Sequence, residues 1–330
     1  MTQESKVPPW LRSVGLSLAV AALLATAGTA RAQEYPSQDI RLVCAFPPGS
    51  GADVLVRYFA EKLRPITGRT VLVENKAGAG GNIATEYVTK ARPDGHVIYV
   101  HAATAVALNQ HLFRKPPVDV AKELKVVATI NRQPWMLLVD AKSPYQTVAD
   151  LTAAMQAKGD KATFATAAPT GRVMGEIYKN AKVLKAVEVN YKSAPDSLNE
   201  LTSGKLDYGL HDPVFSLAQQ RQGRLRILAV STATRLAAAA ELPTMTELGI
   251  PMDLTGWWAA MVRSGTPKPV IDKIHQWFVQ IVSTDETKAF LNKFGGDPFI
   301  NTPEKGQAMF ETAIKEWGEY VRMAKIEPLG

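Results

Sequence analysis

The sequence predicts an α/β protein in two lobes, each a mostly parallel sheet flanked by helices. Three observations lead there. Apolar runs of strand length alternate with stretches of helical period along nearly the whole chain. The chain has 330 residues, 46% of them hydrophobic, enough for about two domains of roughly 100–200 residues each. The joints between strands and helices are short and rich in Gly and Pro, with no low-complexity linker and no repeat of solenoid length.

The elements follow in order. Ile40–Phe46 is an apolar strand, and Asp53–Leu63 a helix in which Leu55, Phe59 and Leu63 recur every four residues. Val71–Glu74 is the next strand, Ala77–Gly81 a glycine-rich turn, and Asn82 caps a helix that runs towards Lys90 and stops at Pro93-Asp94-Gly95. His96–Val100 is a third strand, and this β-α-β-α-β order implies right-handed crossovers and parallel pairing. Lys125–Ile130 and Met136–Asp140 are strands that carry the chain into a second lobe. There Thr147-Val148-Ala149-Asp150 has the form of a capping box. Strands at Ala162–Thr166, Ala186–Asn190, Leu206–His211 and Leu225–Val230 alternate with helices near 171–182, 194–204 and 213–222. After Leu254–Val262 the chain turns helical, at about 268–282, 284–294 and 303–325. Phe310, Ile314, Trp317, Val321 and Ala324 form an apolar stripe that needs a partner surface. The expected division is lobe 1 from 33–133 and 254–330, and lobe 2 from 134–253.

Residues 1–32 have the three parts of a secretory signal peptide. Lys6 and Arg12 precede an apolar run from Val14 to Ala27, and Ala30-Arg31-Ala32 supplies the cleavage signature. The run is shorter than the ~20 residues of a membrane span. Arg12 has no neighbouring Arg and no Cys follows the run closely, so a cleaved Sec-type signal and a periplasmic protein are expected. The single cysteine, Cys44, lies inside the first strand as a small core residue, and no internal disulfide is possible. The formal charge of +7 comes without a dense Lys/Arg run or a basic helix interleaved with aromatics, so nucleic acid is not a partner.

Two turns have the character of anion sites. Phe46-Pro47-Pro48-Gly49-Ser50-Gly51-Ala52-Asp53 joins the first strand to its helix, where strand ends and helix N-termini favour bound anions. Gly49 and Gly51 let backbone N–H groups come close, and Ser50 adds a hydroxyl; the alternative is a structural turn capped by Asp53. The segment fits no dinucleotide, P-loop or nucleophile-elbow pattern, so no cofactor is expected. Ala77–Asn82 is a second glycine-rich junction, either lining the same cleft or packing strand on helix. In the second lobe, Ala167-Ala168-Pro169-Thr170-Gly171-Arg172 occupies the analogous place. Thr170 and its amides face an anion there, and Arg172 offers a guanidinium unless it is a surface residue. His211-Asp212-Pro213 sits at another strand end. The five histidines show no metal-ligand spacing, and no local catalytic constellation stands out.

These residues resemble the Bug family, the periplasmic receptors of tripartite tricarboxylate transporters. Tyr35-Pro36-Ser37, Ile40-Arg41-Leu42-Val43 and Phe46-Pro47-Pro48-Gly49 with Gly51 and Asp53 are similar to the family's opening. Val73–Ile83 resembles its V-x-N-x-x-G-A-G-G-x-I stretch, and Ala91–Gly95, Tyr191-Lys192, Gly204–Asp207, Leu242-Pro243-Thr244 and Gly256-Trp257 follow in its order. The resemblance implies a type II-like, two-lobed periplasmic binding protein that closes on a small carboxylate. It would pass that solute to a membrane permease without chemistry. Carried onto this chain, the site residues are Pro48, Gly49, Ser50, Gly51 and Asp53, with Thr170, Gly171 and Arg172. Ala103 and Thr104, after the third strand, and Asp212 supply the remaining walls. A monomer is expected. The second-lobe turn departs from the family's Ser-Gly-x-Gly-Ser, which leaves the solute's identity open. An exported ligand sensor and an α/β enzyme are the alternative readings.

Overall fold

The computed structural model describes residues 35–329; the signal peptide read from residues 1–32 lies outside them. Strands form where the apolar runs predict them. β1 (Ile40–Cys44) buries every residue except Arg41 and lies between β2 (Val71–Asn75) and β3 (Val97–Ala102), parallel to both. The first sheet is completed by β4 (Leu124–Gln133), β10 (Gly256–Arg263) and β11 (Asp297–Pro298), in the order β11-β4-β10-β3-β1-β2. The second sheet contains β5 (Met136–Asp140), β6 (Thr163–Thr166), β7 (Val187–Asn190), β8 (Tyr208–His211) and β9 (Leu225–Val230), in the order β7-β6-β8-β5-β9.

Both sheets are mixed. β6 pairs in parallel with β7 and β8, as β1 does with β2 and β3, which is what the strand–helix–strand order requires. β10 runs antiparallel to β3 and β4, and β5 antiparallel to β8 and β9. These two are the strands by which the chain enters each lobe from the other. An incoming strand starts at the side where the lobes face one another and runs away from it, against the wound strands. Both crossings are tied at one buried serine. Ser231 N donates to Trp135 O at 2.9 Å and Trp135 N donates back to Ser231 Oγ at 2.9 Å. Leu254 N donates to Ser231 O, also at 2.9 Å, and Ser231 Oγ donates to Leu254 O at 3.2 Å.

The helices are α1 (Gly51–Thr67), α2 (Asn82–Thr89), α3 (Ala103–Leu112), α4 (Val120–Glu123), α5 (Val148–Lys158), α6 (Pro169–Lys182), α7 (Leu198–Thr202), α8 (Pro213–Arg221), α9 (Lys268–Val282), α10 (Asp285–Lys293) and α11 (Pro303–Met323). The capping box read at α5 forms: Thr147 Oγ1 accepts from Asp150 N, and the Asp150 carboxylate accepts from Thr147 N. α3 was not expected. Val106, Ala107, Leu108, Asn109 and Leu112 are buried and no residue of the helix is fully exposed, so it leaves no clear periodic stripe in the sequence. It packs against α11, whose Phe310, Ala313, Trp317 and Val321 join Val106, Ala107 and Leu108 in one core. The late helical region therefore returns to the first sheet, as its stripe required. Cys44 is buried, and desolvation pushes its thiol up to about 11, which leaves it an inert core group.

Phe310 anchors α11 with no exposed surface. Phe310→Ala is expected to cost about 3–5 kcal/mol in urea unfolding. Glu316→Ala, on the exposed face of the same helix, should stay within about 0.5 kcal/mol of the parent.

Candidate functional site

The first turn is built around a buried carboxylate. Asp53 Oδ2 accepts from Gly49 N at 2.8 Å and from Arg57 Nε at 2.8 Å. Its Oδ1 accepts from Asn75 Nδ2 at 2.8 Å, and the same amide donates to Phe46 O at 2.9 Å. Gly49 adopts φ +80°, a left-handed backbone that suits glycine. Ser50 caps α1 by accepting from Asp53 N. Burial pushes the Asp53 carboxyl up, but the hydrogen bonds from Arg57, Asn75 and Gly49 outweigh that and hold it below its ordinary range. Asp53 thus shapes the turn instead of presenting its carboxylate to a solute.

Helix N-termini from both sheets gather next to this turn. A Cβ on Gly51, the first residue of α1, would stand 2.7 Å from Val214 Cγ1 in the first turn of α8. The Gly78–Gly81 turn has four successive positive φ values, 128°, 46°, 64° and 101°. A Cβ on Gly80 would lie 3.8 Å from Pro169 Cγ at the start of α6. Gly171 sits so tightly on β8 that a Cβ would come within 2.5 Å of Leu210 O, with Trp135 Cζ3 at 3.4 Å. α3 begins at Ala103 and α6 at Pro169, and neither has a side-chain cap. Each N-terminus carries a partial positive charge of about half a unit, so several of them together favour an anion without any lysine or arginine.

The structure places the expected residues in this region and assigns some of them other duties. Ala103 and Thr104 form the buried first turn of α3, and Thr170 and Gly171 the buried first turn of α6. Arg172 does not stand free for a solute carboxylate. Its Nε lies 3.1 Å from Glu188 Oε2 on β7, and Thr166 Oγ1 donates to the other oxygen, Glu188 Oε1, at 2.6 Å. Asp212 caps α8 by accepting from Phe215 N at 3.0 Å. The packed surroundings desolvate its carboxyl and raise it above the ordinary carboxylate value, although part of the residue remains accessible. Gly80 belongs to the glycine-rich junction read from the sequence, whereas Trp135 and Val214 were not singled out there; they reach this region only through contacts between distant segments.

A serine–histidine pair is also present, and its geometry is not that of a nucleophile and base. Ser197 Oγ lies 3.0 Å from His211 Nε2 and donates to Ala194 O at 2.8 Å, so the hydroxyl accepts from the imidazole. Both residues have no exposed surface. Burial pushes His211 down to about 3, and His101 likewise, so both rings are neutral at physiological pH.

Two mixed sheets flanked by helices, in two lobes, form the fold shared with periplasmic solute-binding proteins. The chain belongs to the TctC family, the "Tripartite tricarboxylate transporter family receptor", whose sequence model matches residues 55–326. It is 30% identical over 316 residues to a UPF0065 protein of Bordetella bronchiseptica, covering 95% of this chain and 93% of that one. Protein BugT of Bordetella pertussis is 28% identical over 309 residues, 91% of this chain and 94% of the relative. Among solved structures, Rpa4515 of R. palustris with adipate superposes with a TM-score of 0.83 at 27% identity, covering 90% of this chain and all of that one. The periplasmic binding protein BugD gives 0.80 at 25% identity, covering 89% and 100%. The family is one of receptors, and BugD is a periplasmic binding protein.

Two outcomes follow from this geometry. Asp53→Asn keeps the shape but removes the charge-assisted bonds, at an expected cost of about 2 kcal/mol near pH 7. Because the folded pKa of Asp53 is depressed, its contribution is complete above the unfolded value and is lost as pH falls through the folded one. The stability gap between parent and variant, followed by urea titration, should therefore close as the pH is taken from 6 towards 2. Separately, Gly51→Ala should oppose the approach of α1 to α8 and weaken solute binding about tenfold. Val214→Ala in the same chain should restore most of that loss in calorimetric titrations.

Proposed function

We propose that this protein captures a small carboxylate between its two lobes, divided at 133/134 and 253/254, and hands it to the membrane permease of a tripartite tricarboxylate transporter. It works in the periplasm as a monomer after removal of residues 1–32. Pro48, Gly49, Ser50 and Gly51 grip the solute from one lobe, and Thr170 and Gly171 from the other. Ala103, Thr104 and the Asp212 turn close the walls, while Asp53 and Arg172 hold the two turns in shape.

The observation that carries this reading is that helix starts from the two sheets meet at glycine turns: α1 meets α8 at Gly51 and Val214, and the uncapped α6 meets the Gly78–Gly81 turn at Pro169, while the uncapped α3 follows β3, the parallel neighbour of β1. Such a junction provides backbone N–H donors and positive potential, which suit a carboxylate. The solved relative that carries adipate, a carboxylate, agrees in kind. Binding changes no bond, so no residue needs to store or move a proton.

A thermal-shift screen against mono-, di- and tricarboxylates and amino acids tests the proposal. A carboxylate present at 100 times its Kd should stabilise the protein by about 2.7 kcal/mol and be recovered unchanged. A screen in which no carboxylate raises Tm, or one in which the carboxylate is turned over, contradicts it.

A further inference from the structure

Aromatic rings stand beside the first turn, and the arginines of the two turns, Arg57 and Arg172, are each ion-paired to a carboxylate. Phe46, half-buried where β1 gives way to the turn, has its ring 5.3 Å from His101 and 6.4 Å from Trp258. His101 stacks on Tyr99 at 5.1 Å and meets Trp258 edge-on at 5.7 Å, so these rings form one continuous slab. Trp258 lies at a register shift in the β10–β4 pairing, between Trp258 and Ala259, the kind of irregularity that re-aims a side chain. On the second-lobe turn, Trp135 is half-buried at the crossing between the sheets and lies against Gly171.

The ionised groups next to these rings are already paired. Arg57 is held by Asp53 at 2.8 Å and Arg172 by Glu188 at 3.1 Å. Asp212 adds a carboxyl to the same walls and no cation. Both ring nitrogens of His101 and Nε1 of Trp258 are buried without a hydrogen-bond partner among the described residues, and all three are uncharged. A second carboxylate on a solute would therefore be desolvated against neutral rings, close to a like charge, at a cost of several kcal/mol. A flat uncharged group placed there loses only apolar hydration and gains ring contacts.

We infer that the solute is an aromatic monocarboxylate, its carboxylate at the Gly49–Gly51 and Thr170–Gly171 turns and its ring between Phe46 and Trp135. This rests on the carboxylate reading above and narrows it to a class that a dicarboxylate such as adipate does not belong to.

Calorimetric titration of the purified protein with benzoate, phenylacetate and cinnamate, beside succinate and adipate, decides the matter. The tightest aromatic monocarboxylate should bind at least tenfold more strongly than the tightest dicarboxylate. Trp135→Ala should weaken the aromatic acid about tenfold and any dicarboxylate less than threefold, with Trp135→Phe close to the parent. Circular dichroism confirms folding, and Phe46→Leu provides the same comparison if Trp135→Ala does not fold. Dicarboxylate binding equal to or tighter than aromatic binding overturns the inference and leaves the carboxylate reading standing. Equal losses for both classes in the Trp135→Ala protein also overturn it. The absence of binding by every acid overturns the reading beneath it as well.

Discussion

The carboxylate of Asp53 links the backbone of the first turn, the side chain of Arg57 on α1 and the side chain of Asn75 at the end of β2. Through Asn75 it also fixes Phe46 O, so the whole stretch from Phe46 to Gly51 is pinned at both ends. An acid at the heart of a site for acids is at first sight unfavourable. Its charge is matched by Arg57 and by N–H donors, and what faces outward is the positive end of α1. Because the turn is fixed, α1 starts at a defined place, and Gly51 meets Val214 with no room for a side chain. The place where α1 meets the second lobe's α8 is thus set by one buried carboxylate, Asp53, and its half-exposed partner Arg57.

One core joins the two sheets, with Val43, Val106 and Phe310 clustered with Leu137, Phe164 and Tyr208, and polar ties add to it. Ser231 holds both crossings within one set of hydrogen bonds, so β4 to β5 and β9 to β10 turn together. Further contacts bridge the two sheets' surroundings near α10. Arg221 Nη2 donates to Lys293 O at 2.7 Å, and the Asp297 carboxylate accepts from Ala237 N and Ala238 N at 3.0 Å each. With Cys44 as the sole cysteine, these polar ties and the packed core carry the fold without a disulfide.

Much of this was legible in the sequence because it is local. Apolar runs such as Ile40–Cys44 and Leu225–Val230 become strands, the stripe from Phe310 to Val321 becomes a helix seated on the first sheet, and Thr147 with Asp150 becomes a capping box. Helix α3 was not legible, since a segment with no fully exposed residue has little amphipathic period. The reversal of β5 and β10 was hidden for another reason: strand direction depends on how the chain passes between lobes, not on the residues of the strand. At the site, the glycine-rich turns showed themselves by composition. The duty of Arg172 did not, because Glu188 lies on a neighbouring strand and nothing local links the two. Trp135 and Val214 were invisible for the same reason, as each matters through a glycine far away in the chain.

The central claim is that backbone amides at helix N-termini, not a free cation, hold the solute's carboxylate. Amide proton shifts in ¹⁵N-labelled protein measure this directly during titration with the tightest-binding acid from the screen. Charge-assisted hydrogen bonds at the two turns should move the Gly49, Ser50, Gly51, Thr170 and Gly171 amide protons downfield together, while the Arg172 guanidinium signals stay in place. A titration that moves the Arg172 guanidinium signals and leaves the turn amides unshifted would contradict the account.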